Sequence, residues 1–152
     1  MKLSDVGKGT YAGAKFTDST LDLIEEIQRS LNLFDPVPRD KLHTTICFSR
    51  VKVPFIPNIV EQQIGNTGNL KVFKTQTGKR ALVIAIESDY LHERFKYAMA
   101  LGATYDFPDY QPHITLSYDI GVMEIPDKSF SGNPIAISTE YVEDLDLDWK
   151  PK

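Results

Sequence analysis

Two of the chain's three histidines stand in the same short pattern, His43-Thr44-Thr45-Ile46 and His113-Ile114-Thr115-Leu116. At ordinary composition, two of three histidines would have Ser or Thr two places on about 5% of the time, so the pattern invites a chemical reading. In a β-strand, residues i and i+2 point to one face, and imidazole and hydroxyl then project together. Two such pairs facing one cleft could break a phosphodiester. One imidazole would take the proton of an attacking hydroxyl or water and the other would protonate the departing oxygen. Thr45 and Thr115 would hydrogen-bond the non-bridging phosphate oxygens. No third ligand stands at a spacing such as His-Glu-x-x-His, so neither a metal site nor any cofactor is expected.

The elements that must carry these residues are readable from periodicity. Gly9 to Phe16 reads as a first strand. Leu21, Ile24, Ile27 and Leu31 then recur at helical spacing, with Asp18 as the expected cap and Pro36 and Pro38 beyond the end. Leu42 to Ser49 reads as a strand carrying the first motif, and Val53 to Asn58 as a loop. Asn69–Thr75 and Arg80–Glu87 flank the turn-rich Gln76-Thr77-Gly78-Lys79 and predict a hairpin. A second helix is capped by Ser88 or Asp89, carries Leu91, Phe95, Ala98 and Met99 on one face, and stops near Gly102. His113 to Tyr118 carries the second motif, and Ile135 to Val142 reads as a last strand before an acidic tail. On the strand faces opposite the histidines, Thr44, Ile46 and Phe48, and likewise Ile114, Leu116 and Tyr118, predict a mostly apolar inner surface. Leu31 precedes His43, and Leu101 precedes His113, by the same interval, which suggests two related lobes. His92 lacks the motif and reads as a solvated surface residue.

Residues 1–152 read as one domain with enough apolar residues, 41%, to bury a core. A net charge of −4 argues against long nucleic acid gripped through many phosphates, and no apolar run is long enough for a membrane span. The single cysteine, Cys47, forms no internal disulfide and fits a reducing compartment, so the expected location is the cytoplasm. The acidic run Glu140, Glu143, Asp144, Asp146 and Asp148 is what a solvated face looks like.

The paired His-x-Thr strands, above all Pro112-His113-Ile114-Thr115-Leu116, resemble those of the two-histidine (2H) phosphoesterases, and within them the short phage phosphodiesterases that destroy cyclic oligonucleotide signals of bacterial CBASS immunity. That resemblance implies an α+β, bilobal fold with two antiparallel sheets flanking a central cleft and helices packed outside. It implies metal-independent cleavage of small cyclic di- and trinucleotides, with His43, Thr45, His113 and Thr115 as the catalytic set. By position it assigns substrate contacts to Tyr11, Glu143 and Trp149, with Glu140 an alternative acidic residue; the tail would then close over the ligand. Two other activities fit the same residues: a nucleotide sponge without turnover, and a 2H enzyme acting on RNA ends with 2′,3′-cyclic phosphates or 2′-5′ linkages.

Overall fold

The structure, a computed structural model, describes residues 8–146. Six strands, β1 (Lys8–Phe16), β2 (Thr44–Ser49), β3 (Gln62–Lys74), β4 (Arg80–Glu87), β5 (His113–Ser117) and β6 (Pro134–Asp146), combine with two helices, α1 (Asp18–Ser30) and α2 (Asp89–Ala100). The expected two sheets are in fact one: a single antiparallel sheet of order β2-β1-β6-β3-β4-β5. The reason is the pairing of β6 with both β3 and β1. The last strand does not stop at Val142; its first residues pair with Gln62–Asn66 of β3 while the rest runs along all of β1. One strand therefore joins what the sequence presents as two separate halves, β2-β1-β6 and β3-β4-β5.

Both helices cover one face of this sheet. Ile24 and Ile27 of α1, and Leu91 and Ala98 of α2, are buried in a core with Ala12, Ala14, Ile46, Leu82, Ile84, Ile114, Leu116, Ile135 and Ile137. Each fully buried isoleucine or leucine contributes about 1.5–3 kcal/mol relative to exposure. Gln28 spans from α1 to the carbonyls of Val37 and Leu116, both at 3.0 Å, fastening the helix to the connection before the first motif and to the second motif strand.

The helix ends repeat the internal relation. Thr17, rather than Asp18, caps α1 through its side chain, and Asp18 opens the first turn where the dipole favours it. Ser88 caps α2 in the same way, accepting from Leu91 N at 3.0 Å. Leu31 and Leu101 are the two C-caps, and the residue after each, Asn32 and Gly102, takes positive φ. Asn32 thus stops α1 before Pro36 can, asparagine being one of the few side chains that tolerate this region.

Candidate active site

Both motif histidines are held by the same device. His43 lies just ahead of β2 and its Nδ1 is 2.9 Å from Lys41 O; His113 opens β5 and its Nδ1 is 2.7 Å from Gln111 O. A carbonyl only accepts, so each Nδ1 carries the proton and each neutral ring keeps its lone pair on Nε2. The two strands sit at opposite ends of the sheet order, yet they touch: Thr44 Oγ1 donates to His113 O at 2.8 Å, and Tyr110 Oη donates to Thr45 O at 2.7 Å. The sheet curls until its two edges meet, and this brings the motifs together.

Each motif strand also carries the same bulge. β1 pairs Ala12 with Cys47 and Gly13 with Thr45, leaving Ile46 extra; β4 pairs Leu82 with Ser117 and Val83 with Thr115, leaving Leu116 extra. In both strands the extra residue is the third after the histidine. It is fully buried, and it shifts the alternation by one. Phe48 and Tyr118, expected on the inner face, are 46% and 54% exposed instead. Phe48 lines the hollow of His43 and Thr45.

Around the first motif the cleft is lined with hydroxyl and charged groups. Tyr11, Lys15, His43, Thr45, Tyr141 and Glu143 border a hollow of about 550 Å³. Tyr11 Oη and Thr45 Oγ1 are 2.9 Å apart. Burial pushes the Tyr11 phenol far above its ordinary pKa, only partly countered by that bond to Thr45, so it stays a neutral hydroxyl. Gly13 lies against the two tyrosines: a Cβ there would stand 2.9 Å from Tyr141 Oη and 3.0 Å from Tyr11 Cε1, so any larger residue would displace their rings. Lys15 Nζ lies 5.6 Å from the centre of the Tyr141 ring.

Around the second motif the lining differs. Phe73 meets His113 edge to face with ring centres 4.9 Å apart. Burial, foremost, and then the charges of His43 and Lys71 hold His113 below the usual imidazole pKa, against the bond to Gln111 O. Lys71 pairs across the sheet with Val83, whose other neighbour is Thr115. Among the described residues no group of three His, Cys, Asp or Glu side chains is placed to hold a metal ion.

Of the residues singled out in the sequence, Tyr11, His43, Thr45 and Glu143 share one hollow, with Glu143 directly across from Tyr11 in the β1–β6 register. His113 and Thr115 stand on β5 beyond the junction with β2. Trp149 lies outside the described residues. Glu140 faces the other way: it pairs with core-facing Ala14, its side chain is fully buried, and it accepts from Arg94 Nη2 at 2.7 Å, Asn58 N at 2.9 Å and the Tyr90 hydroxyl. The alternative acidic role therefore falls away, because this carboxylate is consumed in tying the 53–60 connection and α2 to β6. His92 is exposed as expected, with its ring 5.4 Å from that of Tyr110. Lys15, Lys71, Phe73 and Tyr141 were missed. Tyr141 stands two residues from Glu143 and could have been found by alternation had the strand been carried past Val142; the other three needed the register between strands.

The fold resembles that of a solved phosphoesterase and that of E. coli LigT. A crystal structure of a phosphoesterase superposes with a TM-score of 0.57 at 16% identity, covering 90% of this chain and 87% of the other. E. coli LigT complexed with 3′-AMP superposes at 0.56 and 15%, covering 89% and 86%. At sequence level the profile of the family described as anti-CBASS protein Acb1 matches residues 8–152. The protein so named in Acinetobacter phage Ac42 is 60% identical over 99% of this chain and all of its own length, and that of Enterobacteria phage T4 is 49% identical over 98% and 96%. This chain belongs to the Acb1 family of anti-CBASS proteins.

Proposed function

We propose that the protein is a metal-independent phosphodiesterase that opens small cyclic di- and trinucleotide signals at 3′-5′ bonds, and that it counteracts CBASS defence in this way. The observation that carries the reading is the matched anchoring of His43 and His113 through Nδ1, which leaves Nε2 of each ring for proton transfer, on strands that meet through Thr44 Oγ1 and His113 O. The class of substrate draws support from the family, and from LigT having been crystallised with 3′-AMP.

In this mechanism His113, desolvated and beside Lys71, is the imidazole kept neutral, and its Nε2 removes the proton from the ribose 2′-OH next to the scissile phosphate. The 2′ oxygen bonds to phosphorus, the P–O5′ bond breaks, and the departing oxygen takes its proton from Nε2 of protonated His43. The product is a linear oligonucleotide ending in a 2′,3′-cyclic phosphate. Thr45 and Thr115 donate to the non-bridging oxygens, with the Tyr11 hydroxyl orienting Thr45 and Lys71 offsetting the phosphate charge. The test is incubation of the protein with cyclic dinucleotides in excess EDTA, followed by chromatography. Conversion of many equivalents to linear product supports the enzyme; tight binding with intact ligand makes the protein a sponge.

A further inference from the structure

A second hollow, of about 330 Å³, borders His113, with Lys71 and Phe73 in its wall. Its floor is made by another bulge. β3 pairs Thr67 with Ile86 and then Leu70 with Ile84, so Gly68 and Asn69 both stand opposite Ala85, whose other cross-strand partner is His113. Gly68 and Ala85 keep this floor low: a Cβ on Gly68 would come within 3.2 Å of the Ala85 methyl. Phe73 closes the end nearest His113. The rim bears Asn69, Glu87 and Gln111. Among the described residues none of these three side chains makes a hydrogen bond or ion pair, although each borders the hollow.

A flat, small-residue floor edged by two amides and a carboxylate suits a planar heterocycle with hydrogen-bonding edges. Its volume admits one nucleoside rather than two. We propose that this hollow holds the nucleoside on the His113 side of the scissile phosphate, opposite the one held among Tyr11, Tyr141 and Glu143. Glu87, an ionised acceptor, selects there for a base bearing an exocyclic amino group over one presenting only carbonyls. This rests on the phosphodiesterase reading above.

The experiment uses a 3′,5′-cyclic dinucleotide containing one adenosine and one uridine. Its two phosphodiester bonds are inequivalent, so the first linear product, resolved by chromatography, reports which nucleoside lay on which side of the phosphate. The full-length protein is compared with Glu87→Gln, at the exposed end of β4, and with Asn69→Leu, each checked for an unchanged melting temperature. A shift of about tenfold in the ratio of the two linear products, in either variant, is expected from the loss of a hydrogen bond to a charged or amide partner. An unchanged ratio in both variants overturns the subsite. Absence of any linear product, even with the unaltered protein, overturns the phosphodiesterase reading instead.

Discussion

The two halves of the cleft repeat a backbone but not a chemistry. Both carry a helix capped by a hydroxyl, a C-cap leucine followed by a left-handed residue, a histidine held through Nδ1 to the carbonyl two residues earlier, and a bulge at the third residue beyond it. The neighbouring strands then diverge. Beside the first motif stand Tyr11 on β1 and Tyr141 and Glu143 on β6; the corresponding places beside the second are Ala81 on β4 and Lys71 and Phe73 on β3. The shared part handles protons and the divergent part decides what binds on each side. On the second side burial, foremost, and then the charges of His43 and Lys71 hold the His113 pKa below its ordinary value.

The largest expected effect falls on what the halves share. His43→Ala and His113→Ala should each lower kcat/KM by about 10²–10⁴-fold with the melting temperature little changed, since each removes one proton-transfer partner from an accessible ring. Near-normal activity in either would break the equivalence of the motifs. Thr45→Ala and Thr115→Ala should cost less, up to about 10²-fold, as losses of one donor to the phosphate.

Among the described residues the buried carboxylate is Glu140 of β6, and its partner Arg94 stands on α2, the helix of the other half. Glu140→Ala leaves Arg94 without its carboxylate partner and should reduce stability by about 3–5 kcal/mol in denaturant unfolding, the usual cost of breaking a buried pair on one side. Any activity loss should then follow the folded fraction, whereas the histidine variants lose turnover while remaining folded.

Smaller effects sharpen the contrast. Tyr11→Phe removes the hydroxyl bonded to Thr45 and should lower kcat/KM about fivefold, the worth of one hydrogen bond of roughly 1 kcal/mol. In the second half, Lys71→Met should displace the pH profile rather than flatten it. A base whose pKa is lowered stays deprotonated to lower pH, so the acidic limb of kcat/KM lies below the ordinary imidazole range; removing the lysine's charge lets the His113 pKa rise and moves that limb upward. An unmoved limb would assign the base elsewhere.

The sequence shows these features unevenly, and the reason is where each is encoded. Strands, helices and motifs follow local period and composition, and Arg80–Glu87 forms the strand expected of it. The union of the two halves does not, because it rests on β6 pairing with β3 at its start and with β1 thereafter, and β6 then runs on to Asp146 through an acidic stretch that composition marks as a solvated tail. In that stretch Asp144 and Asp146 pair with Thr10 and Lys8, a stabilisation supplied by the partner strand rather than by β propensity. For the same reason a truncation meant to test the tail must begin after Asp146; one starting at Glu143 would strip pairing from Lys8–Tyr11 as well. The candidate catalytic residues were visible because chemistry fixes their types. Phe48 and Tyr118 were misplaced because a bulge is a property of two strands.

The division of labour between His43 and His113 is tested most directly with a cyclic dinucleotide whose bridging 5′ oxygen is replaced by sulfur, a leaving group that needs no proton. Cleavage rates of the His43→Ala and His113→Ala proteins are compared on the oxygen and sulfur substrates. His43→Ala should regain most of the wild-type rate on the sulfur substrate while His113→Ala remains impaired on both. Rescue of His113→Ala instead, or of neither, would contradict His43 as the acid and His113 as the base.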